Sequence, residues 1–104
     1  MPRRGIRGRH PSEAEAWSWN EANERELAAH GISTIEVEQV FGNAPRWASN
    51  RKGRAAAWKM LGLTDGGRRL TILVRYDGDA KVIRPITGWS PSAGELTRYF
   101  QGRR

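Results

Sequence analysis

The sequence predicts an α+β fold with two N-terminal helices, a four-stranded antiparallel sheet and a C-terminal helix. Three observations predict it. Residues 19–40 carry two short helical patterns joined at His30-Gly31. The middle of the chain alternates apolar and polar residues between the turn signals Asp65-Gly66-Gly67 and Asp77-Gly78-Asp79. A last helical pattern follows Ser90-Pro91.

Residues 1–12 are rich in Arg, Gly and Pro, with one isoleucine, and cannot bury a face. The expected organisation is a disordered basic arm over residues 1–16 and one domain over 17–104. Trp19 to His30 follows as a helix, with Ser18 as N-cap and Glu21 three residues later, as in a capping box. Its stripe is Trp19, Ala22, Glu26 and Ala29, flanked by Asn23 and Leu27. Gly31 stops it in the left-handed conformation that other residues adopt only with strain. Ser33 or Thr34 then caps a second helix, with Glu36 in its first turn and Ile35, Val37, Val40 and Phe41 as its apolar side. Gly42, Asn43 and Pro45 end it.

The remainder reads as strands. Arg46–Ser49 is short, and Asn50-Arg51-Lys52-Gly53 is a turn. Ala55–Leu63 is a second strand. Arg69–Tyr76 is a third, with Leu70, Ile72, Val74 and Tyr76 on one face and Thr71, Leu73 and Arg75 on the other. Lys81–Trp89 is a fourth, where Pro85 lacks the amide a central strand needs and so marks an edge or a bulge. Ser90-Pro91 or Ser92 opens the last helix, with Glu95 in its first turn and Leu96, Tyr99 and Phe100 as its buried side. Hairpin connections imply helices packed on one face of the sheet.

The charge points to a function class. Eighteen Lys plus Arg against 11 Asp plus Glu give +7, and the only lysines are Lys52, Lys59 and Lys81. Guanidinium groups meet phosphate with two hydrogen bonds, so this bias favours nucleic-acid backbones. GC-rich coding is the bland alternative. The absence of cysteine excludes disulfides, thiolate zinc sites and cysteine nucleophiles. No run of 18 apolar residues exists, no membrane partner is expected, and a secretory signal is not apparent, so a cytoplasmic protein is expected. Nothing calls for a cofactor or a metal. Glu26 and His30 are spaced i, i+4, but two ligands do not hold a metal. No phosphate-loop spacing and no serine-hydrolase motif is present.

Cleavage of RNA by its own 2′-hydroxyl needs a base, a cation at the pentavalent phosphate and an acid for the leaving oxygen. The cation candidates are Lys59, Arg75 and Arg84. Arg84 can instead pair with Glu95 or Glu38. Tyr99 can transfer a proton or pack helix against sheet. His30 can cap its helix, favoured by the dipole, or take part in catalysis. His10 lies in the arm and is expected to be free. The five tryptophans are too many for a small core. Trp89 is the candidate for stacking on a base, with core packing as the alternative. Arg51 and Arg54 are further nucleic-acid contacts.

The chain also resembles a family. Trp19-x3-Asn23, Ala28-x-His30-Gly31-Ile32-Ser33 and Glu36-Val37-Glu38 form a first motif. Gly62-Leu63-Thr64-Asp65-Gly66 with Arg68 forms a second, and Ile83-Arg84-Pro85-Ile86-Thr87 with Glu95 and Tyr99 a third. Their order over residues 17–100 resembles the BrnT-type toxins of bacterial type II toxin–antitoxin pairs, which have a RelE-like ribonuclease fold. The resemblance implies an endoribonuclease that cleaves RNA without metal, binds a cognate antitoxin, and represses its own operator DNA with it. It places Arg84 at the phosphate, with Tyr99 and Glu95 in the final helix. The family usually carries Arg before the aromatic of the second strand, where this chain has Ala57 before Trp58. It usually carries Ser-Ala-Arg after the last strand, where this chain has Thr87-Gly88-Trp89. Arg54, Lys59 and Arg75 can replace those arginines if they share a face. The alternatives are a non-catalytic RNA-binding module, or a partner-binding protein whose basic face meets an acidic antitoxin.

Overall fold

The computed structural model describes residues 10–50 and 57–101. The central hairpin ladder forms as the alternation predicts: β2 (Arg46–Asn50), β3 (Ala57–Leu63), β4 (Arg69–Asp77) and β5 (Val82–Trp89) are antiparallel neighbours. A further strand, β1 (Ala16–Trp17), pairs parallel to β5 through Ala16 with Val82 and Trp17 with Ile83. The sheet therefore has five strands, is mixed, and runs β1-β5-β4-β3-β2. The α+β class holds, but four antiparallel strands is corrected to this arrangement. A two-residue strand has no periodicity to read.

The described part of the expected arm is structured. Pro11–Glu13 is a 3-10 turn with Pro11 buried, and the amides of Glu15 and Ala16 donate to the Lys81 carbonyl. Residues 1–9, Arg51, Arg54 and most of the expected turn at 50–53 lie outside the described residues.

Helix α1 (Glu21–Ala29) is capped by Asn20, whose side chain accepts from the Asn23 amide at 2.8 Å. The cap is thus two residues later than the Ser18 reading, and Leu27 is the buried residue of the helix. Gly31 has φ +71°, and the Ile32 amide returns to the Leu27 carbonyl at 3.0 Å. Helix α2 (Thr34–Gly42) has the expected capping box between Ser33 and Glu36. Val37 and Val40 enter the core, while Ile35 is 64% exposed. A nine-residue helix presents only one narrow stripe, and Ile35 lies off it.

The main core sits between α1, α2 and one sheet face: Leu27, Ile32, Val37, Val40, Met60, Leu70, Ile72, Val74, Tyr76 and Ile83. Trp17, Trp19, Trp47 and Trp58 are partly buried around it. Arg68 ties the helical corner to the β3–β4 turn, donating to the Gly31 carbonyl at 2.8 Å and to Glu36 at 3.1 and 3.2 Å. Asn43 does the same from the end of α2, donating to the Leu63 carbonyl and to Asp65, both at 2.9 Å.

The last helix is one α turn, α3 (Ala93–Glu95), continued by a π-helical turn at Leu96–Phe100. Ser92 caps it in a second capping box with Glu95. It lies across the opposite sheet face, because Glu95 bonds Lys59 and Thr71 there. Helices thus cover both faces, not one. The expected buried side of Leu96, Tyr99 and Phe100 is only partial, with none of the three fully buried. Opposite the step from Leu73 to Val74, β5 carries an extra residue: Leu73 pairs with Thr87 and Val74 with Pro85. Ile86 is therefore the bulge, next to the proline that signalled it.

Gly88 faces the core so closely that a Cβ there would lie 2.8 Å from Ile72 Cδ1, 3.0 Å from the Thr71 carbonyl oxygen and 3.1 Å from Ile32 Cδ1. Gly88→Ala is expected to destabilise the domain by about 1–3 kcal/mol in urea unfolding, the usual cost of overpacking. Adding Ile72→Val should recover part of the loss. An alanine variant as stable as the parent would show that this contact yields freely.

Candidate functional site

Residues directly opposite in an antiparallel ladder share a face, so the register places the cations. On the face away from α1 and α2, three rows run across the strands. The first is Arg46, Leu61, Thr71 and Trp89; the second is Ala48, Lys59, Leu73 and Thr87; the third is Ala57, Arg75 and Arg84. Same-face rows lie about 6.5–7 Å apart, two residues along a strand. The register thus brings Lys59, Arg75 and Arg84 onto one face; Arg54, which the sequence reading also required there, lies outside the described residues.

The cations there are not equivalent. Arg75 and Arg84 are exposed and directly opposite each other. Arg84 reaches only Ser18 Oγ, at 3.4 Å, and pairs with neither Glu95 nor Glu38. Arg75 has no side-chain partner among the described residues. Like charges opposite one another destabilise a sheet, and two unit charges at ~4 Å repel by about 1 kcal/mol even in water. An anion between the two guanidinium groups removes that repulsion.

Lys59, by contrast, is held. Its Nζ donates to Glu95 Oε2 at 3.1 Å. Glu95 Oε1 accepts from Thr71 Oγ1 at 3.0 Å, from Trp89 Nε1 at 3.2 Å and from the Ser92 amide at 3.1 Å. The Glu95 side chain is only 11% exposed. Burial pushes its pKa up. The hydrogen bonds from the Ser92 amide, Lys59, Trp89 and Thr71 outweigh burial and hold it below the ordinary carboxylate value. Glu95 is therefore held in its ionised form by four donors, three on Oε1 and Lys59 on Oε2. Trp89, the stacking candidate, is half-buried with its indole N–H committed.

Tyr99 is half-buried on the C-terminal helix, and the Arg98 guanidinium lies 5.7 Å from its ring centre. His30 reaches this face only through Glu26, which bonds Thr87 of the second row. It is the C-cap of α1, with Nε2 3.3 Å from Glu26 Oε2, and Glu26 also accepts from Thr87 at 2.9 Å. His10 is not free: its ring packs edge-on against Trp58 at 4.9 Å and Trp47 at 5.8 Å. It borders a groove of about 440 Å³ lined by Ser12, Phe41, Pro45 and Trp47.

The convergence on Glu95 was not legible beforehand, since its partners lie 24 and 36 residues away in the chain. Only the Ser92-x-x-Glu95 spacing signalled that the carboxylate has a local role. No family model matches this chain, and no curated protein matches it in sequence. Among the described residues, no helix is long and apolar enough to cross a membrane.

Glu36 has a lowered pKa as well, first through the Ser33 amide and then through Arg68, against the opposing effect of burial. A carboxylate whose folded pKa is depressed contributes stability above its unfolded pKa and loses it as pH falls through the folded value. Melting temperature is therefore expected to be flat down to the ordinary carboxylate value of 4.5 and to fall below it. Glu95→Gln and Glu36→Gln should each flatten that acid limb. A limb unchanged in both variants would assign the acid loss to other groups.

Proposed function

We propose that this protein binds single-stranded RNA in the cytoplasm, through phosphate contacts of Arg75 and Arg84 on the open part of the sheet, without cleaving it. The in-register Arg75–Arg84 couple, which has no carboxylate partner among the described residues, carries the reading. Two guanidinium groups held opposite each other by a ladder form a preorganised phosphate clamp. The net charge of +7 adds long-range attraction for a polyanion.

The chemistry around the clamp supports binding over cleavage. Every His, Asp and Glu of the chain lies within the described residues. The carboxylate nearest in register, Asp77, accepts the Asp79 and Ala80 amides at 3.0 and 3.2 Å in the β4–β5 turn. Glu95 is engaged by four donors, one of them Lys59. Glu26 pairs with His30 and accepts from Thr87, and His10 packs on Trp47 and Trp58. Among the described residues, no His, Asp or Glu forms an ion pair with Arg75 or Arg84, which favours binding.

A second reading keeps the toxin function that the BrnT-like motifs imply: a metal-independent endoribonuclease, Arg84 and Arg75 at the scissile phosphate, Tyr99 as proton donor, and an antitoxin as partner at operator DNA. The observation favouring it is the same couple, whose geometry also suits a pentavalent phosphate.

Titration of a short single-stranded RNA over a range of salt separates the readings. Affinity should fall steeply with salt, and Arg75→Ala and Arg84→Ala should each flatten the logarithmic slope by about 0.7, the value of one phosphate contact on a single strand. Neither substitution should lower the melting temperature, because each relieves a like-charge pair. Salt-independent affinity, or unchanged slopes, would remove the clamp. Cleavage by the parent protein, slowed about a hundredfold in Arg84→Ala, would establish the second reading instead.

A further inference from the structure

The Glu95 carboxylate sits where a phosphate would. Lys59 Nζ, Thr71 Oγ1 and Trp89 Nε1, from β3, β4 and β5, all donate to it at 3.0–3.2 Å. A cationic amine aimed at one carboxylate oxygen, and a hydroxyl and an indole N–H aimed at the other, form a set of donors that two oxygens of a phosphate accept equally well. Lys59 lies one row from Arg75, on the adjacent strand. Its donors therefore continue the row of phosphate contacts.

The element that delivers Glu95 is weakly held by everything else. Apart from the nearly buried Glu95 side chain, no residue of Ala93–Phe100 is fully buried: Tyr99 and Phe100 are half-buried and Leu96 is 36% exposed. A cavity of about 250 Å³ lies against it, lined by Arg69, Leu96, Thr97, Phe100 and Gln101. One α turn followed by a π turn gains little from helix propagation, and segments with few buried apolar contacts open at low free energy. Glu95 is also the only acidic residue after Asp79 in the chain. A lone carboxylate placed on the cationic face is what binds this helix there.

We propose that Lys59, Thr71 and Trp89 form a phosphate subsite that Glu95 occupies in the free protein, so that the C-terminal helix is a latch which an RNA phosphate displaces. The inference rests on the RNA-binding reading of the same face and adds its regulation. In the closed state only Arg75 and Arg84 meet the backbone. When phosphate takes the three donors, Glu95 moves into water and Lys59 exchanges one anionic partner for another. The donors lose nothing, and the bound strand gains one contact.

Two measurements on the full chain test this. The first is the salt dependence of single-stranded RNA binding for Glu95→Gln, beside Glu24→Gln as an exposed substitution with the same change in net charge. Glu95→Gln should tighten binding about tenfold at low salt, the scale of one charge-assisted hydrogen bond, and steepen the slope by about 0.7. Glu24→Gln should change the slope little. Lys59→Met added to Glu95→Gln should abolish the gain. Equal slopes for Glu95→Gln and Glu24→Gln would overturn the subsite.

The second measurement is amide exchange without RNA. The Leu96 and Gln101 amides, bonded to the Ser92 and Leu96 carbonyls, should exchange far faster than those of Ile72 and Val74, and faster still in Glu95→Gln. Exchange at the rate of β4 would overturn the latch, since the helix would then open only with the whole domain. If the parent protein binds no RNA at low salt, the reading of the face fails as an RNA site, and the latch still stands or falls on these exchange rates.

Discussion

Everything on this molecule's surface depends on how β4 is paired. It is bonded along its length to β3 on one side and β5 on the other. Its alternation sends Leu70, Ile72, Val74 and Tyr76 into the core and Thr71, Leu73 and Arg75 to the opposite face. A slip of one residue would exchange the two sets, placing a guanidinium among Met60 and Val40 and four apolar groups in water. The penalty for that exchange fixes the register. The register in turn sets Arg75 opposite Arg84 and Lys59 beside Leu73. Fold energetics and the cationic face are therefore two outcomes of one ladder.

The two faces are stabilised by different physics. The α1–α2 face is apolar and continuous, with ten buried residues and four tryptophans around them. The other face has Leu61 and Thr71 buried and is closed by a carboxylate network in place of a second apolar layer. A chain of this length buries one core well and has little apolar surface left for a second. Charge therefore replaces hydrophobic contact where the last helix docks. That substitution makes the contact sensitive to salt, pH and competing anions, which apolar packing is not.

The parts of the fold legible in the sequence were those set by local physics. Gly31 ends α1 because only glycine takes φ +71° without strain, and Ser33 with Glu36 can cap α2 from within one turn. Pro85 predicted an irregularity, and the bulge lies beside it. Distance in sequence hid the rest. The Ser18 and Asn20 side chains are both good caps, and only the docked geometry of Trp17 and Trp19, stacked 5.6 Å apart, decides between them. His10 looked unattached until Trp58 came beside it from the far side of the sheet. Arg84 lies opposite Arg75 by register, whereas the Lys59–Glu95 pair is visible only once the helix crosses the sheet.

The parallel strand β1 has a temporal consequence. Ala16 and Trp17 pair with Val82 and Ile83, so nearly the whole sheet lies between them in the chain. A ribosome releases Ala16 and Trp17 before their partners, which arrive only after three other strands have been made. Until then Trp17 can meet Trp19 and Phe41, but the outer edge of β5 that fixes the strand does not exist. This early segment is among the last to be placed, because closing so long a loop is repaid only when the distant strand is present. Translation speed through residues 69–89 thus sets how long β1 waits unpaired.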